Sequence, residues 1–360
     1  MKTRHRRIVG LMGGLLTISA LYCAPTQARQ YALTDLGTLP GGSNSYATGV
    51  NSNGKVSGYA DFSGSLSTGD LVQHATLWDG TILIDLGTLG GSASAANGIN
   101  DSGHVVGTAN LAGDSAEHAT LWKGTKAIDL GTLGGNGSSA SGINNSGRAV
   151  GSSATTTGFK GPVHATLYYR STATDLGTLG GTFSIAFSIN DSGHAVGWSL
   201  LADNSTQHAT LWSGKSITDL GTLGGPFSAA YSINNAGQTV GFADTAGANF
   251  FSHAALWNGA TTAVDLGTLG GTTSVADGIN NAGIVVGSAD TANQVGHAAL
   301  WKHGKVTDLN TELTGALAAY VTLIEAVAIS DNGLIAANGV DSRTGDTHAY
   351  LLMPGGDDRD

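Results

Sequence analysis

Residues 94–130 read SAANGINDSGHVVGTANLAGDSAEHATLWKGTKAIDL, and this stretch decides the fold. It contains four short segments of apolar and small residues, separated by stretches rich in Gly, Asn and Asp, which is the pattern of consecutive β-strands joined by tight turns. The first segment ends at Asn100, and Gly103 supplies the positive φ that the following turn favours. The later segments are VVG, HATLW and AIDL. The stretch therefore predicts one unit of four antiparallel strands.

The same unit recurs along nearly the whole chain. The string DLG, or DLN in the last copy, returns every 43 to 50 residues, and the other segments keep their order between two copies. Periods of this length with four strands each are typical of propeller blades. The aspartates that begin the string are Asp35, Asp85, Asp129, Asp175, Asp219, Asp265 and Asp308.

The number of strands predicts how the chain ends meet. The sequence opens with one isolated fourth strand, Tyr31 to Leu36, and closes with three strands, the last being His348 to Leu352. An open stack would leave unpaired edges at both ends, whereas a ring in which these two segments pair leaves none. We therefore predict an all-β fold: a seven-bladed β-propeller with four antiparallel strands per blade, closed by the N-terminal strand. A solenoid-like stack is the alternative.

Residues 1–28 have the pattern of a secretory signal peptide. Four basic residues precede an apolar stretch from Ile8 to Tyr22, and the segment ends in small residues at Ala28. The sequence thus predicts a signal peptide at 1–28 and a single seven-repeat domain at 29–360. The mature protein is expected to be secreted, in the periplasm or outside the cell.

Charge and hydropathy narrow the class of partner. The formal charge is −10, with 16 Lys and Arg against 26 Asp and Glu, and the basic residues are scattered. A nucleic-acid backbone calls for clustered Lys and Arg, so no nucleic acid is expected. No membrane span is expected either, because the longest apolar stretch of the mature chain, near residues 316–329, is interrupted by Glu325. The oligomeric state stays open.

These motifs resemble the HAF-repeat family, the probable extracellular repeat proteins. The resemblance covers essentially all of the mature chain, through the DLGTLGG, GIN-x-x-G, VVG and HAT-LW segments, and includes the closing segment from His348 to Leu352. The residue after His-Ala departs from the Phe of the family name, being Thr or Ala in six repeats and Tyr350 in the last. The resemblance implies an exported repeat protein and no established reaction.

The repeated histidines invite a metal site, but we interpret them as structural. The interval from each histidine to the next DLG aspartate is 11 residues in five of six cases and 12 in the other. A constant interval predicts a hydrogen bond between the third strand and the turn after the fourth. Seven equivalent sites around a ring would also lie too far apart to ligate one metal ion. The histidines are His74, His118, His164, His208, His253, His297 and His348.

The loop between the second and third strands varies most in length from repeat to repeat, and the connection into the last repeat is also longer. Both kinds of connection are predicted to emerge on one rim of the propeller. Variable loops on a rigid scaffold are common recognition sites, although tolerated insertions are the alternative. The candidate binding residues are Asp61, Phe62, Phe159, Lys160, Phe250, Phe251 and Tyr320.

We therefore expect an exported, non-catalytic repeat scaffold that binds a protein or glycan partner through one variable-loop face. An enzyme, a lyase or hydrolase acting at the mouth of the central channel, is one alternative, and a structural or adhesive extracellular component is another. No GxSxG, HExxH or P-loop motif is present. The first strand of each repeat also reads as nearly uniform, which predicts few distinct polar residues at the axis. The sequence favours binding over catalysis and assigns no catalytic residue, metal ligand or cofactor.

Overall fold

The computed structural model describes residues 30–62, 72–80, 82–156, 161–170, 172–247, 251–259 and 262–355. These residues form 29 β-strands and three short 3-10 turns, and none of them forms an α-helix. The predicted signal peptide lies outside the described residues. No helix in the described part of the chain is long and apolar enough to cross a membrane.

The first fifteen strands are β1 Tyr31–Asp35, β2 Ser45–Val50, β3 Lys55–Phe62, β4 Val72–Asp79, β5 Ile82–Asp85, β6 Gly90–Ile99, β7 Val105–Leu111, β8 Glu117–Lys123, β9 Lys126–Asp129, β10 Ser138–Ile143, β11 Ala149–Ala154, β12 Val163–Tyr169, β13 Thr172–Gly177, β14 Gly180–Ile189 and β15 Ala195–Leu201. The others are β16 Gln207–Ser213, β17 Ser216–Gly221, β18 Gly224–Ile233, β19 Gln238–Thr245, β20 Ser252–Asn258, β21 Val264–Asp265, β22 Gly270–Ile279, β23 Val285–Thr291, β24 Gly296–Lys302, β25 Lys305–Asp308, β26 Leu313–Thr314, β27 Val321–Ile329, β28 Ile335–Asp341 and β29 Thr347–Pro354.

Each sequence repeat forms antiparallel strands that pair in the order of the chain. The sheets β2 to β5, β6 to β9, β18 to β21 and β22 to β25 have four strands each. The third and fourth repeats, β10 to β13 and β14 to β17, share one sheet because a single parallel bridge joins Val163 to Phe183. The first strand of each repeat, called here the innermost strand, is β2, β6, β10, β14, β18, β22 or β27.

The N-terminal strand is the fourth strand of the last sheet. Strand β1 runs antiparallel to β29, with Tyr31 opposite Pro354 and Asp35 opposite Tyr350. Strand β26 covers the other edge of β1 in parallel orientation. The first residues of the described chain are thus held by the last ones, which is the pairing that the strand count predicts.

The apolar core consists of clusters that lie between neighbouring repeats. Trp122 of the second repeat is fully buried against Ala75 and Leu77 of the first, and Trp78 of the first packs with Ala349 of the last. Burial of such aromatic side chains is a large favourable contribution to folding. The aromatic residues at this position are buried in all seven repeats: Trp78, Trp122, Tyr168, Trp212, Trp257, Trp301 and Tyr350.

A β-bulge interrupts every innermost strand at the same place. In β6 the pairing steps from Ala96 to Gly98, so Asn97 has no partner on β7. The same irregularity follows the central alanine in the other six innermost strands. A bulge adds one residue and changes the direction of the side chains near it, so the two-residue alternation expected of a regular strand does not continue beyond Ala96.

The bulge explains the glycine of the VVG segment. A Cβ atom added to Gly107 would overlap the carbonyl oxygen of Ala95 on the adjacent innermost strand. The same overlap with the equivalent carbonyl would occur at Gly58, Gly151, Gly197, Gly241 and Gly287. The seventh repeat has Ala337 instead, and its innermost strand carries an additional bulge after Leu323. The glycine is therefore needed because two backbones approach closely, and not because its φ is unusual.

Candidate functional site

The fold has two ends along the axis of the innermost strands. The turns after each innermost strand define the hairpin face. The loops between second and third strands, together with the connections into the innermost strands, define the loop face. Gly90 at the start of β6 pairs with Leu111 at the end of β7, which places both kinds of connection at the same end of the repeat.

A hydrogen bond joins the repeated histidine and aspartate in all seven repeats. The Nδ1 atom of each histidine lies 2.7–2.9 Å from the nearer carboxylate oxygen of its aspartate. That carboxylate also accepts the backbone N–H two residues further on, as from Gly131 to Asp129 at 2.8 Å. Each pair therefore fastens the end of the fourth strand to the third. The pairs are His74 with Asp85, His118 with Asp129, His164 with Asp175, His208 with Asp219, His253 with Asp265, His297 with Asp308, and His348 with Asp35.

The seventh pair connects residues from opposite ends of the sequence. The hydrogen bond that His348 Nδ1–H donates to Asp35 raises the pKa of His348, against the opposing effect of burial. Burial disfavours ionised Asp35, but its hydrogen bonds with His348 and Gly37 outweigh this and leave the pKa of Asp35 lowered. Between the pKa of Asp35 and the pKa of His348, the carboxylate is negative and the imidazole is positive. The ion pair therefore stabilises the contact of β1 with β29 in mildly acidic solution.

Asparagine side chains brace the hairpin face. The Nδ2 atom of the last residue of GIN donates to the carbonyl oxygen of the equivalent residue in the next repeat, at 3.0–3.2 Å in all six cases. Between the last and first repeats, Asn332 donates to the carbonyl of Ser52 at 2.9 Å. Carboxylates on the hairpin face accept hydrogen bonds from backbone N–H groups of the preceding repeat, as Asp101 does from Ser52. These polar groups therefore stabilise the contacts between repeats.

The bulge residues line a cavity on the axis. It is lined by residues of all seven innermost strands and measures about 220 Å³. The residue in the bulge differs in every repeat, so the interpretation that this strand is uniform is wrong at one position. The seven are Thr48, Asn97, Ser141, Phe187, Tyr231, Asp277 and Val327. Variation at one fixed position of an otherwise regular repeat was the signal that could have identified them.

Asp277 lines this cavity and has an acidic neighbour, Glu325; the two are called here the acidic pair. Burial and the negative charge of Glu325 raise the pKa of Asp277 well above its usual value. Burial raises the pKa of Glu325 despite its hydrogen bond with Asn338. Burial and these two carboxylates also raise the pKa of Tyr231 to about 12. The Oδ2 atom of Asp277 is inaccessible to solvent and has no hydrogen-bond partner among the described residues.

The acidic pair predicts a dependence of stability on pH. Because the pKa of Asp277 is raised in the folded protein, its favourable contribution is complete below the ordinary value of 3.8 and is lost as the pH rises through the folded value. We expect Asp277→Asn to be more stable than the wild-type protein by about 1–3 kcal/mol at neutral pH, the range for an unsatisfied buried group. The difference should vanish near pH 3 in urea unfolding. Glu117→Gln, at an exposed carboxyl, is the control, and equal pH profiles for wild type and Asp277→Asn would contradict the assignment.

The predicted loop residues have four different outcomes. Asp61 lies in β3 and is buried, where its carboxylate accepts hydrogen bonds from Asn44 and Gln73, so it presents no free group to a partner. Phe62 stacks on His74 with ring centroids 5.1 Å apart. Phe251 and Tyr320 are exposed on the loop face. Phe159, Lys160 and Phe250 lie outside the described residues.

Further exposed apolar side chains occupy the loop face. Phe183 and Phe227 stand near the starts of β14 and β18, Val295 precedes β24, and Ile324 lies in β27. Together with Phe251 and Tyr320 they are each 37–51% exposed, and all six belong to the fourth to seventh repeats. Phe183 and Phe227 replace the polar or small residues that precede the first-strand serine elsewhere, a difference that is visible in the sequence.

Comparison with known proteins identifies the fold class. No protein-family model matches the chain, and no curated protein does. The chain is similar to a solved structure described as the beta-propeller domain of the Trilobed protease from Pyrococcus furiosus, reported to have an open velcro topology. The match covers 86% of this chain and 93% of that one, with a TM-score of 0.54 and 8% sequence identity. At this identity the similarity shows the fold alone, and the protein is an all-β protein of the β-propeller class.

Proposed function

We propose that the seven repeats form seven blades of a closed ring, with β1 completing the last blade. Three contacts between the first and last repeats support closure besides the pairing of β1 with β29. Ser45 Oγ accepts the backbone N–H of Ala349 at 3.0 Å, as the equivalent serines do between consecutive repeats. Asn338 exchanges two hydrogen bonds with the backbone of Ala47. Trp78 packs against Ala349 in a shared apolar cluster.

On this ring we propose an exported binding scaffold that recognises a protein partner through its loop face. The observation that carries the proposal is the concentration of exposed aromatic and aliphatic side chains on the loop face of the fourth to seventh repeats. Exposed apolar side chains that gather on one face of a soluble protein are typical of interaction sites. Export rests on the signal-peptide pattern of residues 1–28, and membership of the HAF-repeat family on the resemblance of the motifs.

The composition of the surface favours a protein over a glycan. Three of the six side chains are Phe, whose rings have no hydrogen-bonding group for a sugar hydroxyl. Tyr320 is covered by the guanidinium of Arg343, whose Cζ lies 4.9 Å from the ring centroid. Tyr and Arg are enriched among residues that dominate protein–protein affinity. Glycan binding is therefore the alternative that the experiment must separate.

Loss of the aromatic surface is expected to abolish recognition. The probe is a displayed random-peptide library that is selected for binding to the full mature chain. If the leader is removed as proposed, mass spectrometry of this chain should give the mass of a protein that begins at Arg29. Selected peptides are expected to bind Phe227→Ala/Tyr320→Ala at least about tenfold more weakly, as for loss of an interface hot spot. Fluorescence anisotropy with labelled peptides measures the change.

A matched control exists on the opposite face. Tyr169 is 37% exposed on the hairpin face and, like Tyr320, stacks with an arginine, Arg170. Tyr169→Ala should leave peptide binding unchanged. Equal losses for both variants, or selection that enriches no peptide while a glycan array binds the loop face, would reject a protein-binding loop face.

A further inference from the structure

The axial cavity combines a carboxylate with an aromatic wall, and the proposed loop-face function does not use it. Three consecutive repeats supply Phe187, Tyr231 and Asp277 at the bulge position. The first three repeats supply the small polar side chains of Thr48, Asn97 and Ser141 at the same level. One half of the cavity is therefore aromatic and acidic, and the other half is lined by hydroxyl and amide groups.

The carboxylate of Asp277 lacks the partners that buried carboxylates normally have. Its Oδ2 is inaccessible to solvent and accepts no hydrogen bond from the described residues. The nearby Glu325 adds a second acidic group and no compensating positive charge. A buried charge of this kind is costly unless it is paired. Asp277 as a whole is only partly buried and lines the cavity, so a cation there could approach its carboxylate and balance the charge.

The neighbouring rings select the kind of cation. Phe187 and Tyr231 meet edge to face, with centroids 5.2 Å apart and planes at 68°, and Tyr231 also lies 5.9 Å from Phe242. Aromatic faces attract ammonium and guanidinium groups, most strongly where water is excluded. Divalent metal ions instead require several oxygen ligands. No group of three or more His, Cys, Asp or Glu side chains able to hold a metal occurs within the described ranges.

We propose that the axial cavity binds a small organic ammonium ion, with Asp277 as its counter-ion and the rings of Tyr231 and Phe187 as its apolar wall. Water occupies about 30 Å³ per molecule in the liquid, so the cavity has room for one compact cation in place of several waters. Thr48, Asn97 and Ser141 leave space and polar contacts for a hydroxyl group on the ligand. The site belongs to the ring interior and is independent of the loop-face aromatics.

Choline chloride is the probe, and 3,3-dimethylbutan-1-ol, its neutral isostere, is the matched ligand control. Isothermal titration of the full mature chain at constant ionic strength should show one choline site and at least about tenfold weaker binding of the alcohol. Asp277→Asn should weaken choline binding at least about tenfold. Tyr231→Leu should weaken it several-fold, and Tyr231→Phe should retain it because the ring remains.

Glu117→Gln controls for total charge, because it removes the same unit of charge at an exposed carboxyl that does not line the cavity. It should leave choline affinity unchanged. Circular dichroism verifies that each variant is folded, and Asp277→Ser, which installs the residue of the third repeat, repeats the test with a smaller side chain. Equal choline affinity in wild type and both Asp277 variants, equal binding of the neutral alcohol, or no choline binding at 50 mM would overturn the proposal.

Discussion

Oxidised Ala32→Cys/Met353→Cys protein is expected to unfold with a free energy about 5 kcal/mol higher than the same protein after reduction. Ala32 of β1 and Met353 of β29 are directly opposite each other and exposed, so a disulfide can form without disturbing the core. The bond would close a loop of roughly 320 residues, and the chain-entropy model gives the largest stabilisation to the longest loops. Guanidinium unfolding with and without dithiothreitol measures the difference.

Two controls make this a test of ring closure. The only native cysteine, Cys23, lies within the predicted signal peptide, so no other thiol competes in the mature chain. A second variant, Ala32→Cys/Ile82→Cys, places its cysteines on residues that the structure does not pair and should keep two free thiols. If Ala32→Cys/Met353→Cys also keeps two free thiols under mild oxidation, the N-terminal strand does not lie on β29.

Gly107→Ala is expected to destabilise the protein by at least about 3 kcal/mol, the upper range for forcing extra volume into a packed site. The added methyl group would overlap the Ala95 carbonyl, which belongs to β6, a strand that pairs with β7 and packs against β2 and β10 of the neighbouring repeats. Neither backbone can retreat without breaking the pairing around the bulge. Urea denaturation, followed by tryptophan fluorescence, gives the change in free energy of unfolding.

The control lies in the same repeat. Gly124 forms the turn between β8 and β9 with a φ of +61°, and a Cβ there would meet no atom within 4 Å. Gly124→Ala should therefore cost only about 1–2 kcal/mol, the ordinary penalty of a left-handed conformation. A loss at Gly107 no larger than the loss at Gly124 would refute the close approach of the two strands.

Much of the fold can be predicted from the sequence because the same pattern of strands and turns occurs seven times. Turn residues and apolar segments recur in a fixed order, so the order of the strands agrees in every copy, while their lengths vary, as in β21 with two residues and β13 with six. The constant interval between histidine and aspartate predicts a contact that the structure contains seven times. The isolated segment Tyr31 to Leu36 likewise anticipates its pairing with the last strand, because an unpaired edge strand is unfavourable.

The axial site was harder to predict, for a local reason. Alternation along a strand assumes regular pairing, and the bulge after Ala96 breaks that assumption without a distinctive residue of its own. Asn97 and its equivalents therefore read as ordinary positions, and Asp277 as one isolated carboxylate. The pairing of Asp277 with Glu325 involves a second bulge, after Leu323, that only the coordinates reveal.

The bulge also has an evolutionary consequence. The asparagine brace and the packed aromatic layer do not use the bulged position. Thr48 and Asn97 donate hydrogen bonds to Ala96 and Ala140 of the next repeat, but these contacts do not recur in every copy, so the residue type varies more here than at neighbouring positions. Seven such positions converge on one small volume, and each can be exchanged by a single codon change. Substitutions at these seven positions can therefore change the chemistry of the interior while the surrounding framework stays the same.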